Sequence, residues 1–232
     1  QINVGMGAGS GANLSEFSPP NLTTARTALN LFLCPSDPNS GSSPFGLGSL
    51  SYRANFGTGV SSIEVLRTGW IISDREDGGF AALDPTRPAD FVDGLSSTLA
   101  YAEKPLGSRA NQYNPSVDWM TLRGLVTTPE MGDIWISLCG DPAHAAKPQF
   151  DAGRSWLAAS ACHCGFYTSV SPNGKTPDCA PNHQNGVFAA RSYHPGGVNA
   201  AMMDGSVRWY ASDIHRAVWR ALGSRAGGEV LP

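Results

Sequence analysis

The chain has 232 residues, 41% of them hydrophobic but only 15% charged, with 27 glycines and 17 prolines. That is enough apolar material for a sizeable core of short elements joined by many turns, and aromatics spread along the whole length exclude a disordered tract. A net charge of −3, with lysine and arginine scattered singly, excludes an electrostatic surface for nucleic acid, and no stretch reaches the roughly 18 apolar residues of a membrane helix.

In chain order, the glycine cluster from Gly5 to Ala12 contains a G-x-G-x-x-A string. Residues 13–20 offer no helix after it, so it reads as a loop and not a dinucleotide site. Residues 23–33 carry Ala25, Ala28, Leu29 and Phe32 at helical spacing. They run into Cys34-Pro35-Ser36-Asp37-Pro38, where two prolines force a turn. Strands are expected at 51–56, 63–66, 70–73, 98–103, 134–138, 165–170, 198–203 and 207–211. Asp77-Gly78-Gly79, Asp93-Gly94, Asn173-Gly174 and Asp204-Gly205 supply turns, and the last of these joins a hairpin. A closing helix is capped by Asp213, with Ile214, Ala217, Val218, Ala221 and Leu222 on one stripe and Gly223 at its end. The pattern predicts a single α+β domain over residues 1–232, mainly antiparallel and loop-rich, with a short C-terminal helix.

Two groups of residues carry chemistry. Cys162, Cys164, Cys179 and His183 have the composition of a structural zinc site, although one residue between the first two cysteines is tighter than usual. The same cysteines, with Cys34 and Cys139, suit disulfides better, in an oxidising compartment. Pro195-Gly196-Gly197 lets the chain turn sharply after His194, and a hairpin could return Asp204 near it, with Asn199, as a ligand or metal site. Alternatively, Asp204 caps its own turn. Asp74, Glu76 and Asp77 read as a solvated turn. Trp70, Trp119, Trp135 and Trp156 sit in apolar runs that suit core packing better than a carbohydrate surface. No nucleophile elbow, P-loop or H-E-x-x-H motif occurs, so no catalytic residue is assigned.

Several phrases in order resemble a planctomycete prepilin-type, pseudopilin-like family of uncharacterised function. They are Phe32-Leu33-Cys34-Pro35-Ser36-Asp37, Ser51-Tyr52-Arg53-Ala54-Asn55, Asp93-Gly94-Leu95-Ser96-Ser97-Thr98, and His194-Pro195-Gly196-Gly197 through Asp204-Gly205, a His-x9-Asp-Gly signature. The resemblance implies a pilin-like globular domain standing on an N-terminal leader and hydrophobic helix, neither of which is in this sequence. It implies an extracytoplasmic, non-enzymatic subunit of a filament, secretion apparatus or surface complex, touching membrane only through that helix. It also implies Ca²⁺ as the cofactor of a site formed by His194, Asn199 and Asp204, by likeness to secretion subunits. Exported oxidation favours a bridge from Cys162 or Cys164 to Cys179, with Cys34 to Cys139 as a second. Two alternatives stand beside it: a solute- or glycan-binding module, and a metal-dependent hydrolase built on His194 and Asp204.

Overall fold

A computed structural model describes residues 19–40, 46–59, 63–66, 69–72, 76–81, 85–110, 112–123, 132–158, 160–183 and 186–229. The glycine cluster near the start, Asp74 and the side chain of Trp70 lie outside the described residues. In chain order the elements are α1 (Pro19–Ala25), β1 (Tyr52–Asn55), β2 (Ile63–Leu66), β3 (Gly69–Ile72), β4 (Leu99–Glu103), β5 (Trp119–Leu122), α2 (Gly132–Cys139), β6 (Ala145–Gln149), α3 (Ala161–Cys164), β7 (Gly165–Phe166), β8 (Asp178–Ala180), β9 (Gly197–Met202), β10 (Val207–Ala211) and α4 (Arg216–Gly223). The α+β class, the loop-rich character and the short C-terminal helix are as expected.

The main sheet has the order β10-β9-β4-β1-β7 and is antiparallel except where β7 runs parallel to β1. Its residues alternate between two faces, as a pleated strand requires. Val198, Ala200 and Met202 of β9 point to a core shared with Leu99, Phe166, Trp219 and Leu222. Helix α4 supplies the last two of these, so its apolar stripe covers this face of the sheet. The fully buried Asn55 donates from Nδ2 to the carbonyls of Leu99 and Gly223, each at 2.9 Å, tying the end of α4 to the sheet.

A second sheet, β6-β5-β8, carries α2 on its surface. The two sheets are linked by a buried charge cluster. Asp178 of β8 accepts from Lys104, which follows β4, and from Arg191 Nη2 at 2.9 Å. Burial pulls Lys104 down to about 8, with Asp178 pulling the other way. Burial also opposes ionisation of Asp178, but the Lys104 and Arg191 charges outweigh it and hold its carboxyl below the usual range.

Several elements differ from the sequence expectation. Residues 134–138 alternate like a strand but form the middle of helix α2, in which Trp135 and Cys139, four apart, face the core. The helix expected over 23–33 is split: α1 ends at Ala25 and a separate 3-10 turn covers Asn30–Phe32. The strand expected over 165–170 stops at Phe166, and β5, β6 and β8 were not anticipated.

Candidate functional site

The face of the main sheet opposite α4 is open. Tyr52 and Ala54 of β1, Tyr101 of β4, Asn199 and Ala201 of β9 and Val207 of β10 line it, and the 3-10 turn with Leu31 and Phe32 and the Trp156 loop wall it in. Together they enclose an apolar trough of about 520 Å³. Leu31 is 85% exposed and Val207 68%, which is unusual for large aliphatic side chains gathered at one place. The wall is held by backbone and side-chain bonds: Phe32 packs edge-on against Trp156 at 5.9 Å, and Trp156 Nε1 donates to the Thr27 carbonyl at 2.9 Å.

Cys34, Glu103 and His194 meet beside Tyr52 and Asn199 at one end of this face. Each is delivered by a different element. The Cys34 turn is fixed by Asp37, whose carboxylate accepts from Leu106 N at 2.7 Å and Asn39 N at 2.9 Å. Glu103 ends β4 and is held by Asn199, which donates from its backbone N at 2.8 Å and from Nδ2 at 3.2 Å. His194 stands in the turn before β9, which needs the left-handed backbone of Gly196 (φ 83°). The imidazole lies edge-on to Trp209 at 6.4 Å. Its Nε2 is 3.2 Å from Glu103 Oε1 and 3.7 Å from Cys34 Sγ. Burial first, then Cys34 and Glu103, raise the pKa of the neighbouring Tyr52 hydroxyl.

Asp204 is not part of this group. The β9–β10 register pairs Gly197 with Ala211 and Ala201 with Val207, so the hairpin tip carrying Asp204 is at the far end of β9 from His194, roughly 20 Å away. There the Asp204 carboxylate accepts from Ser206 N at 2.8 Å and Ser206 Oγ at 2.6 Å, capping its own turn. The expected His194–Asn199–Asp204 calcium set, and the hydrolase pairing of His194 with Asp204, are therefore not assembled. Asn199 instead braces Glu103.

The cysteines also divide differently from the expectation. Cys139 and Cys179 form the disulfide, with Cα atoms 5.3 Å apart, so the zinc set of Cys162, Cys164, Cys179 and His183 loses a member. Cys34 is a free thiol, as are Cys162 and Cys164. Burial pushes the Cys164 thiol to about 11 and raises Cys162 well above its usual value. Cys162 Sγ lies 3.5 Å from Nδ1 of the fully buried His163, and His183 is close by, held through Asp151 at 3.6 Å. Trp119 and Trp135 are core residues, as expected, whereas Trp156 borders the trough. The turn at 76–77 is not a solvated one: Glu76 is buried, and Asp77 accepts from Thr58 N at 2.7 Å and Thr58 Oγ1 at 2.6 Å. Sequence reasoning missed Glu103 as a site residue. Its one available signal was its position at the end of an apolar strand, which is weak for a lone carboxylate.

The family model SBP_bac_10, described as a protein of unknown function (DUF1559), matches residues 1–217. No curated protein and no solved structure matches the chain. The open trough and the Cys34–Glu103–His194 group thus belong to a chain that is a member of the DUF1559 family.

Proposed function

We propose that this chain is the globular body of a non-enzymatic, extracytoplasmic assembly subunit of the prepilin-type kind, whose open sheet face is covered by an apolar helix. The observation that carries the reading is the trough on the main sheet. Its floor is built around small residues, Ala54 and Ala201, and its rim from Leu31, Phe32, Tyr101 and Val207. Small residues at the centre of a sheet face let a helix approach closely, and a large apolar rim gives it something to pack against. Covering Leu31 and Val207 would each contribute about 1.5–3 kcal/mol. The Cys139–Cys179 disulfide supports an oxidising compartment. Among the described residues no helix is long and apolar enough to cross a membrane, so on this reading the helix that fills the trough comes from outside them.

A second reading is a binding module for an apolar solute. It is favoured by the family's name, SBP_bac_10, which suggests a binding-protein relation, and by a volume of about 520 Å³, inside the small-ligand range. The polar groups that a solute site uses for orientation are scarce here, because Asn199 is already committed to Glu103.

Two charges placed on the face separate these readings from an inert surface. In cells expressing the precursor, the Ala201→Asp/Val207→Asp variant is expected to fold with its disulfide intact but to drop out of the large envelope complex formed by the wild type. Retention equal to the wild type would contradict the reading. A co-purifying apolar small molecule, lost from the same variant, would favour the solute module.

A further inference from the structure

We propose that Cys34 Sγ, Glu103 Oε1 and His194 Nε2 form a zinc site. The three ligand atoms lie within 4.8 Å of one another. Zinc bonds of about 2.3 Å to sulfur and about 2.0–2.1 Å to nitrogen or oxygen, at tetrahedral angles, require an S···N edge of about 3.6 Å and an N···O edge of about 3.3 Å. The observed edges are 3.7 Å and 3.2 Å. Two of the three edges thus match a zinc tetrahedron, and the third, between Cys34 Sγ and the Glu103 carboxylate, is within 4.8 Å.

The donor chemistry selects the ion. A thiol, an imidazole and a carboxylate suit zinc, whereas calcium takes oxygen ligands and seldom imidazole. The surroundings support the arrangement as an engineered-looking metal centre would be supported: Asn199 holds the carboxylate with two hydrogen bonds, and Trp209 stacks edge-on against the imidazole. The nearby cations do not compete for the carboxylate, since Lys104 and Arg191 are both engaged by Asp178. Cys34 and Glu103 are buried, but the His194 side chain is 31% exposed, so the group is reached from solvent on the His194 side. Bound zinc would fasten the Cys34 turn, and with it the 3-10 turn Asn30–Phe32 that walls the trough, to the end of β4. The site stands whatever fills the trough.

The test is titration of the metal-free, disulfide-intact chain with Co²⁺ and then Zn²⁺, following thiolate-to-cobalt charge-transfer absorption and its displacement by zinc. One equivalent per chain is expected to bind the wild type. His194→Gln and Glu103→Gln are expected to weaken zinc by more than about 100-fold, since removing a direct ligand costs more than removing its support. His183→Gln, which disables the separate Cys162–His163–His183 group, is expected to leave the affinity unchanged. Near-ultraviolet circular dichroism of the variants establishes that they fold, and amide exchange at residues 30–34 is expected to slow on adding zinc to the wild type alone. Equal affinity in wild type and His194→Gln, or loss in His183→Gln instead, would overturn the assignment.

Discussion

Arg53 is the residue at which local chemistry and burial disagree most. It lies on β1 with its side chain fully buried, and none of its guanidinium nitrogens has a hydrogen-bond partner among the described residues. Burial pulls its pKa down to about 10, against the opposing influence of Cys164, Cys162, Asp37 and Asp178. A desolvated cation without direct hydrogen bonds destabilises the fold, and apolar replacement of buried charges is often neutral or stabilising by about 1–4 kcal/mol. Arg53→Met is accordingly expected to raise the urea midpoint or leave it unchanged; a large loss of stability would show that the guanidinium is better satisfied than its contacts indicate. Gly153 is coupled to it. Its backbone is left-handed (φ 68°), and a Cβ there would come within 2.0 Å of Arg53 Nη2. Gly153→Ala is therefore expected to destabilise by more than the ~1 kcal/mol of backbone strain alone, and less so in the Arg53→Met background.

His163 makes a pH prediction at the same scale. It is fully buried, and burial draws its pKa down to about 3, so it is neutral in the folded protein while the unfolded chain takes up a proton near pH 6.5. Because the unfolded state binds more protons between these values, stability is complete above about pH 6.5 and falls as the pH drops towards 3. By pH 5 the loss from this one group is on the order of 2 kcal/mol. Urea titrations at pH 7 and pH 5 should show that difference in the wild type and a smaller one in His163→Gln. An identical pH dependence in both would remove His163 as its source. Asp151, held below the usual carboxylate range in spite of burial by His183, His163 and Arg154, adds to the loss only at lower pH.

At the scale of elements, the Cys139–Cys179 bridge ties α2 to β8 across 40 residues of chain. Closing a loop of that length stabilises by about 4 kcal/mol on the chain-entropy account. Reduction, or the Cys139→Ser/Cys179→Ser pair, should lower stability by about that amount, and thiol counting should rise from three to five on reduction. The bridge also explains why α2 was misread. Ile134, Ile136 and Leu138 alternate with Trp135 and Ser137, which is a strand pattern, and only a partner 40 residues away shows that Trp135 and Cys139 share a helical face. By contrast, β9, β10 and α4 were legible because each carries its own instructions: alternation around an Asp-Gly turn, then a 3.6-residue stripe. Strands β5 and β8 carry no such signal. They pair in parallel with each other through residues far apart in the chain, and β6 contains Pro148.

The candidate site shows the same division. The Cys34 turn and the His194 turn were marked by proline and glycine, and both lie where such residues bend a chain. That they meet at Glu103 depends on the sheet order β10-β9-β4-β1, which no local pattern specifies. The pairing of His194 with Asp204 is plausible on the sequence because a hairpin could fold Asp204 back, but Asp204 sits at the hairpin tip and the length of β9 separates the two.

For the molecule as a whole, one face of the main sheet is closed by α4 and the other is left as an apolar trough. The proposed role rests on what covers that trough. The most direct measurement places a photo-cross-linking residue at Ala201 in the full-length protein expressed in its native host and identifies the captured peptide by mass spectrometry. The account predicts an intramolecular cross-link to an apolar helical segment of the same polypeptide. Cross-linking of the protein in its assembled state that yields no such segment, with the trough open to solvent or filled by a small molecule, would contradict it.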